Sequence, residues 1–316
     1  MTYNLIYMAK PIYGGWVTFT AHLSLKTDSN IFKISKKNEN CKRSYGYGTF
    51  YQNKTIEDIC KLDNLYITAL DKHYYEYLNY FPQNTKMVIH DPNEVKNKKN
   101  PIINNNNLIN KFSIITIREL VQQHLINNFN IQSTLINHPF YEYNKNKKSM
   151  GNFAVSISRI DFDKNTDIIL KCNHLLEQNN HSGKVIKIFG AENRIYVHHK
   201  LKQYNFHNYW YGKYSKELPM VYENKDILKG CTFMVDLSVI KGDGGGTQYT
   251  FLEAIYNDCI LILHEDWVNK SDLFINQFNC LTVKNELELY NILSNKLTIN
   301  KDEMISNAKN ILKDHI

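Results

Sequence analysis

Residues 242–255 read GDGGGTQYTFLEAI, a glycine-rich run that leads directly into an apolar stretch with helical spacing. Glycines let the backbone pass close to a ligand with its N–H groups exposed, and a helix N-terminus favours negative charge. Gly244 to Gly246 therefore predict a cradle for a phosphate or a sugar. Thr247 and Gln248 add side chains that can hydrogen-bond to the same ligand. A simple turn before a helix is the alternative interpretation.

Glu253 lies inside the helix that this run is predicted to open. A buried carboxylate is costly unless it is paired. Binding the two hydroxyls of a ribose would explain a buried Glu at this position, whereas a surface Glu on an amphipathic helix is the competing interpretation.

Strand-like and helix-like segments alternate along the chain on both sides of a polar, lysine-rich stretch at 141–150, YEYNKNKKSM. Such alternation is typical of right-handed βαβ units that form a parallel sheet. We therefore predict an α/β protein with two Rossmann-like domains, 1–143 and 150–316, which face each other across a cleft that holds the ligand. The asparagine-rich piece at 100–110 is predicted to be a mobile loop.

Composition narrows the class of protein. The chain has 316 residues, of which 43% are hydrophobic, and it has no apolar run near the roughly 20 residues that span a membrane. Its first ten residues lack the pattern of a signal peptide, so an intracellular, cytoplasmic protein is expected, in the host cytoplasm if the chain is viral. The six cysteines show no CxxC pair, which argues against a zinc site or a disulfide framework.

The formal net charge of +7 has two explanations. It permits a polyanionic partner such as DNA. Codon bias is the other explanation, because Asn, Lys, Ile, Tyr and Phe, which have A/T-rich codons, abound in this chain. Charge alone does not separate the two.

A pair of cations brackets a predicted strand-to-helix turn in the second half, in the sequence SRIDFDK. Arg159 ends the strand and Lys164 opens the helix. This spacing can clamp a diphosphate that also sits on the helix N-terminus. Two solvated surface cations are the competing interpretation.

In the first half, the predicted strand in MVIHDP ends in His90 and Asp91. A His beside a carboxylate can act on a hydroxyl or stabilise a developing positive charge. A capping Asp beside a loop His is the competing interpretation.

Gly14 and Gly15 lie between the first predicted strand and its helix, in PIYGGWVTF, and suggest a phosphate or sugar turn. Neither the GxGxxG dinucleotide fingerprint nor a Walker A motif occurs, which excludes the usual NAD enzymes and P-loop NTPases.

Taken in order, these segments resemble the retaining GT-B glycosyltransferases over nearly the whole chain. From Arg159 and Lys164 through KIFG, YWYG and FMVDLSV to YTFLEAIYNDCILIL, the second half resembles the donor-nucleotide domain of that superfamily. The resemblance implies that the two cations contact the diphosphate and that Glu253 holds the ribose. It also places Tyr211 and Gly212 of YWYG among the donor-binding residues, with the following segment facing the base. GGWVTFTAHLSL and STLINHPF resemble the acceptor domain's first turn and its crossover into the linker.

One position departs from the superfamily pattern. Most members carry a Glu eight residues before the ribose Glu, where it holds the sugar, but this chain has Gly245 there. The sugar contacts are therefore expected from elsewhere, such as the backbone of Gly244 to Thr247. Phage DNA α-glucosyltransferases also lack that first Glu and share the YT-x-LE pattern. The Arg/Lys and His-Asp pairs are widespread in the superfamily, so only YTFLE with the missing Glu favours the phage enzymes.

The resemblance implies a nucleotide-sugar-dependent hexosyltransferase that retains anomeric configuration and uses a UDP-sugar such as UDP-glucose. No further cofactor and no metal are expected, because Arg159, Lys164 and a helix N-terminus neutralise the diphosphate. His90 and Asp91 would line the reaction centre. The leading acceptor is a hydroxymethylated base in double-stranded viral DNA. A surface glycan or a lipid-linked sugar is the alternative acceptor, and a non-catalytic nucleotide-sugar-binding protein is a third hypothesis.

Overall fold

The computed structural model describes residues 2–10, 14–96, 100–143, 152–212, 224–239 and 246–316, with the backbone alone at positions 96, 106, 224 and 225. The chain divides into two compact units, Met1–Tyr141 with His315–Ile316, and Glu142–Asp314. Of the predicted site residues, Gly244 and Gly245 lie outside the described residues. Within the described part of the chain, no helix is both long and apolar enough to cross a membrane.

The first unit contains eight strands among its described residues. They are β1 (Asn4–Met8), β2 (Asn30–Ile34), β3 (Lys42–Gly46), β4 (Thr49–Lys54), β5 (Leu65–Leu70), β6 (Thr85–Ile89), β7 (Phe112–Thr116) and β8 (Thr134–Leu135). Its helices are α1 (Gly15–Thr27), α2 (Ile56–Ile59), α3 (Pro92–Lys96), α4 (Pro101–Asn104), α5 (Asn106–Ile109) and α6 (Glu119–Phe129), and Lys72–Tyr80 forms a 3₁₀ helix.

These strands form one sheet in the order β3-β4-β2-β1-β5-β6-β7-β8. All neighbouring pairs are parallel except β3 and β4, which form an antiparallel hairpin. In the central strand β1, Leu5, Ile6, Tyr7 and Met8 are all fully buried. Burial of successive residues means that both faces of the sheet are covered, as parallel sheets require.

Two features of the first unit differ from the sequence-based expectation. The predicted mobile loop at 100–110 is wrong, because this stretch forms α4 and α5 and buries Ile102 and Leu108. Its asparagines act as caps: the Asn100 Oδ1 accepts the Ile102 N–H at 3.0 Å, and the Asn105 Oδ1 accepts from the next helix start. The β3–β4 hairpin was not predicted, since its strands are polar and lie at the sheet edge, where one side remains in water.

The second unit contains β9 (Ala154–Ile157), β10 (Ile186–Phe189), β11 (Phe233–Asp236), β12 (Ile260–His264) and β13 (Leu281–Val283). They form a parallel sheet in the order β10-β9-β11-β12-β13. The helices are α7 (Thr166–Gln178), α8 (Arg194–Tyr196), α9 (Asn224–Leu228), α10 (Tyr249–Tyr256), α11 (Glu265–Val268), α12 (Glu286–Leu293) and α13 (Lys301–Lys313). A π-helical turn, Val197–Leu201, and 3₁₀ turns at Ser182–Lys184, Lys202–Tyr204 and Phe206–Asn208 complete the described elements.

One face of α7 is apolar and packs into the core of this unit. Ile169, Cys172 and Leu176 are buried in a cluster with strand residues such as Ile186 and Ile262, while Ile168 and Leu175 pack against it partly buried. The sequence NYWYG adds a single parallel bridge to the sheet, between Trp210 and Ile188.

The chain end returns to the first unit. The carbonyl of His315 accepts hydrogen bonds from the Phe140 N–H at 2.9 Å and from the Lys26 Nζ at 3.0 Å. The His315 Nδ1 contacts the His138 carbonyl at 3.0 Å. The predicted domains, 1–143 and 150–316, place these last two residues in the second domain and Glu142 and Tyr143 in the first, whereas the compact units assign each pair the other way. Composition could not reveal this, because the bonds join residues far apart in sequence.

Candidate functional site

Lys164 occupies the turn between β9 and α7 and is only 7% exposed. Its backbone N–H bonds to the Asp161 carbonyl, and the helix begins two residues later at Thr166. The Lys164 Nζ donates to the Ser238 Oγ at 2.8 Å, and the Ser238 hydroxyl in turn bonds to Asp236 at the end of β11. Among the described residues, no carboxylate lies within ion-pairing distance of this buried ammonium. A buried cation without a direct anionic partner is costly, so the arrangement favours an anionic ligand at Lys164.

Arg159 lies in the same turn, but its environment is different. Its side chain is 64% exposed and forms long ion pairs with Asp161 at 3.4 Å and Asp163 at 3.7 Å. An exposed pair of this kind stabilises little and is readily exchanged. Arg159 is therefore free to turn toward an incoming phosphate, whereas Lys164 is already fixed.

The start of α10 carries the described part of the glycine-rich run. Gly246 has φ +83°, a conformation that favours glycine, and its carbonyl accepts from the Trp267 Nε1 at 3.2 Å. Gln248 occupies the N-cap position without a capping hydrogen bond, and the first turn contains no acidic residue. Within the described ranges, the Gln248 Nε2 and Thr250 Oγ1 are buried atoms without a hydrogen-bond partner. Such groups cost about 1–3 kcal/mol each when unsatisfied, so together with the open helix N-terminus they indicate a polar or anionic ligand. Thr247, next to them, is buried.

Glu253 lies in α10 and is fully buried. Burial raises the pKa of the Tyr143 hydroxyl, and the charge of Glu253 raises it further. Tyr143 is held in place by Asn257, whose Nδ2 donates to the Tyr143 hydroxyl at 3.2 Å. A ribose at Glu253 would therefore have to displace the groups that cover the carboxylate.

Tyr211 and Gly212 lie beside the end of β10. The Tyr211 N–H bonds to the Ile188 carbonyl at 2.9 Å, and the Gly212 carbonyl accepts from the Gly190 N–H at 3.1 Å. The Tyr211 ring is 46% exposed, so it offers an aromatic face. Because β9, β10 and β11 are parallel, Lys164, Tyr211 and Ser238 all lie at the carboxyl edge of one sheet, where open α/β sheets bind ligands.

In the first unit, Gly14 and Gly15 form the transition from β1 to α1. Gly14 is the N-cap residue with φ +95°, and an added Cβ at either glycine would meet no atom within 4 Å. The helix start is thus open and carries no acidic residue in its first turn. These properties fit the predicted turn for a phosphate or sugar.

His90 follows β6 and is buried. Its Nε2 lies 2.8 Å from the Thr68 carbonyl, which can only accept, so we assign the proton to Nε2 and the lone pair to Nδ1. The ring packs edge-to-face against Phe19 at 4.9 Å. Burial lowers the pKa of His90 to about 4, so the imidazole is neutral at physiological pH. It can accept a hydrogen bond from a hydroxyl through Nδ1.

Asp91 serves local structure in this unit. Its Oδ1 accepts the Asn93 N–H at 2.7 Å, and its carbonyl accepts the Glu94 N–H at 3.0 Å, which starts α3. None of the hydrogen bonds of the described residues links Asp91 to the His90 ring. The geometry matches the capping interpretation more closely than a His-Asp catalytic pair.

Glu94 is a residue of this site that sequence reasoning missed. Its Oε1 accepts the Trp16 indole N–H at 3.1 Å, and its Oε2 accepts the His90 backbone N–H at 3.3 Å. It therefore links the start of α1, next to Gly14 and Gly15, to the end of β6. Burial raises the pKa of Glu94 to about 8. The spacing Asp91-x-x-Glu94 is that of a capping box, and this signal could have identified it.

We expect Glu94→Gln to change how stability depends on pH. The folded pKa of Glu94 lies above its ordinary value of 4.5, so unfolding releases a proton and wild-type stability falls as pH rises from about 4.5 to 8. The pKa of His90 in the folded protein lies below 6.5, so its contribution to the free energy of unfolding has the opposite pH dependence. This contribution is lost as pH falls from about 6.5 to 4. Relative to wild type, the melting temperature of Glu94→Gln should therefore increase between pH 5 and pH 8. We expect up to about 10 °C, since each pKa unit corresponds to about 1.4 kcal/mol and 1 kcal/mol to about 2–4 °C in domains of 150–250 residues.

The matched control is Glu57→Gln, which removes an exposed carboxylate from the same unit. Its melting temperature should follow the wild-type pH profile. A difference between Glu94→Gln and wild type that stays constant across this pH range would contradict the assignment of a half-buried, proton-binding carboxyl.

The described residues contain no group of three or more His, Cys, Asp or Glu side chains that could hold a metal ion. That the reaction needs no metal ion stays a prediction, which rests on the cations and the helix N-terminus described above.

Comparison with known proteins identifies the architecture. No protein-family model matches the chain, and no curated protein matches it. HepE (Alr3699) of Anabaena, in complex with UDP-glucose, is similar with a TM-score of 0.65 at 12% identity over 99% of this chain and 95% of that chain. An alpha-glucosyltransferase in complex with UDP and a 13-mer DNA containing a central A:G mismatch is also similar, with a TM-score of 0.65 and 12% identity. The match covers 98% of this chain and 94% of that chain. The apo form of the lipopolysaccharide outer core galactosyltransferase WaaB has a TM-score of 0.54 at 11% identity. This match covers 99% of this chain and 98% of that chain.

These likenesses extend over both units and nearly the full length of each neighbour. They confirm the predicted fold class, an α/β chain with two Rossmann-like units in the GT-B arrangement of elements. The resemblance noted from the sequence is thus confirmed for the fold.

Proposed function

We propose that this protein is a retaining glycosyltransferase that moves a sugar from a UDP-sugar to an acceptor hydroxyl. The observation that supports it most strongly is the buried Lys164 ammonium, which has a hydroxyl partner but, in the described part of the chain, no carboxylate within ion-pairing distance. Enzymes that release a nucleoside diphosphate need fixed positive charge where the leaving group becomes more negative. GT-B neighbours bound to UDP or UDP-glucose make a nucleotide sugar the natural donor.

The donor-side roles follow from the second unit. Lys164 and Arg159 bind the diphosphate, and the N–H groups at Gly246 to Gln248 contribute the helix N-terminus. Tyr211 offers an exposed ring to the base, and Glu253 receives the ribose once its covering groups move aside. Gly244 and Gly245 keep their predicted place in the sugar contacts.

The acceptor-side role falls to His90 and the Gly14–Gly15 turn. In the reaction, the bond from the anomeric carbon to the diphosphate breaks, and a bond to the acceptor oxygen forms on the same face of the sugar. A neutral His90 orients the acceptor hydroxyl through Nδ1, while the proton passes to the departing diphosphate. Asp91 supports this arrangement by fixing the start of α3.

For the acceptor, we propose a hydroxymethylated base in double-stranded DNA. The similarity to an alpha-glucosyltransferase bound to UDP and DNA, the net charge of +7 and the YTFLE pattern support this choice. A surface glycan or a lipid-linked sugar is the second candidate, favoured by the similarity to the lipopolysaccharide galactosyltransferase. A non-catalytic nucleotide-sugar-binding protein, in which Lys164 would bind the diphosphate without a transfer step, is the third candidate.

A mass measurement separates these candidates. The protein is incubated with UDP-glucose and either hydroxymethylated or plain DNA, and the digested nucleosides are weighed. We expect a hexose on the hydroxymethylated base alone, since a plain base has no exocyclic alcohol. A target inside a duplex would also need to leave the stack. Transfer to an oligosaccharide with no mass gain on hydroxymethylated DNA would support the glycan acceptor, and UDP binding without transfer to either would support the non-catalytic protein.

A further inference from the structure

One segment of the first unit is rich in positive charge. Residues 30–61 contain seven Lys or Arg and three Asp or Glu, so this tenth of the chain carries an excess of four of the seven net charges. Other stretches of the sequence, such as residues 184–202, carry the same excess, so it is the position of these cations in the fold that distinguishes them.

The fold brings these cations to one edge of the first sheet. Lys36 and Lys37 follow the carboxyl end of β2, and Lys54 ends β4, paired in register with Ile34. Lys42 begins the antiparallel β3 opposite Gln52, so it lies at the same edge.

Two further lysines extend the row across the sheet. Lys10 comes after the end of β1, and Lys72 comes after the end of β5. We call this row, Lys42, Lys54, Lys36, Lys37, Lys10 and Lys72, the basic edge. It ends one strand before β6, which carries His90.

Five of the six ammonium groups are exposed, and Lys54 is partly buried over the Phe32 ring. In the part of the chain that the structure describes, none of the six has a carboxylate within ion-pairing distance. Beside the row, Arg43 pairs with Glu39 and Lys61 with Asp58, and the Asp71 carboxylate at the end of β5 accepts the Lys10 backbone N–H at 2.8 Å. Cations outnumber carboxylates along the row, and its exposed ammonium groups can contact a partner.

The length of the row favours an extended polyanion over a small anion. Neighbouring strands lie about 4.8 Å apart, so the five strands from β3 to β5 span roughly 19 Å. Duplex DNA carries one charge per about 1.7 Å of axis and so presents roughly eleven phosphates over that length. Unpaired, exposed lysines are the groups that displace counterions from such a backbone.

We propose that the basic edge binds the phosphate backbone of duplex DNA and brings a modified base to His90. This inference rests on the proposed function, because it assigns the surface that holds the proposed acceptor. Contacts of this kind position the duplex without reading its sequence.

The test uses the triple variant Lys36→Gln, Lys37→Gln and Lys42→Gln in the full chain. The matched control is Lys200→Gln, Lys202→Gln and Lys313→Gln, which removes the same charge from exposed lysines of the second unit. Binding of a hydroxymethylated duplex is measured by fluorescence anisotropy from 50 to 200 mM salt, with UDP binding measured by calorimetry in each variant.

We expect the basic-edge variant to bind the duplex at least about tenfold more weakly at 100 mM salt. Its log–log salt slope should be shallower by roughly 2–3, because each lost phosphate contact removes about 0.9. The control should retain the wild-type slope, and UDP affinity should stay unchanged in both variants.

Equal duplex binding by both variants would overturn the assignment of this surface. Stronger binding of an anionic polysaccharide than of DNA through the same lysines would overturn DNA as the partner. If the wild-type protein does not bind UDP, that result contradicts the proposed function, whatever the DNA measurement shows.

Discussion

Lys164→Ala is expected to weaken nucleoside-diphosphate binding by about 1.5–3 kcal/mol, the range for hydrogen bonds to charged groups, or roughly 10- to 150-fold in Kd. The Lys164 ammonium is buried and already fixed by Ser238, so little side-chain entropy opposes its contact with a phosphate. Isothermal titration calorimetry with UDP measures the change.

Arg159→Ala is the matched control for Lys164, because it removes the same charge from the same turn. Arg159 is largely exposed and ion-paired with Asp161 and Asp163, so its loss should cost less than the loss of Lys164. Melting curves of both variants without ligand show whether either change acts through folding. Unchanged UDP affinity in a folded Lys164→Ala protein would remove the diphosphate clamp from the account.

His90→Ala is expected to lower turnover by at least about a hundredfold, the lower end for a positioned catalytic group. Donor affinity should remain near wild type, since the diphosphate groups belong to the other unit. Because burial lowers the pKa of His90 to about 4, the wild-type rate should show no inflection from this residue between pH 6 and pH 8. Steady-state kinetics across this range measure both properties.

His73→Ala provides the comparison, because it removes an exposed histidine of the same unit. It should turn over at the wild-type rate. If His90→Ala shows the same kcat as His73→Ala, His90 has no part in the transfer step. A rate inflection near pH 6.5 in the wild type that His90→Ala abolishes would contradict a neutral imidazole.

The sequence predicted the fold where local pattern and burial agree. Apolar runs such as those of β1 and β12 read as strands because both faces of a parallel sheet are buried. The turn that holds Lys164 was also predictable, since a strand, a short polar loop and an amphipathic helix follow one another in sequence.

Tertiary contacts account for what the sequence did not predict. The raised pKa of Glu94 comes from its burial in the folded unit, and its hydrogen bond from the Trp16 indole joins residues 78 apart in sequence, so no local pattern records either. The edge hairpin β3–β4 is polar and thus resembles a loop. Asparagines at 100–110 suggested a loop because their capping role depends on the buried Ile102 and Leu108.

The central claim is that the second unit binds a nucleoside diphosphate through Lys164. A thermal-shift measurement with UDP and UDP-glucose on the wild type and on Lys164→Ala tests it most directly. Ligand at a hundred times its Kd stabilises a folded protein by about 2.7 kcal/mol, so the wild-type melting temperature should rise by several degrees. The Lys164→Ala protein should need a correspondingly higher concentration for the same rise. A wild-type melting temperature that stays constant up to millimolar UDP and UDP-glucose would contradict the account.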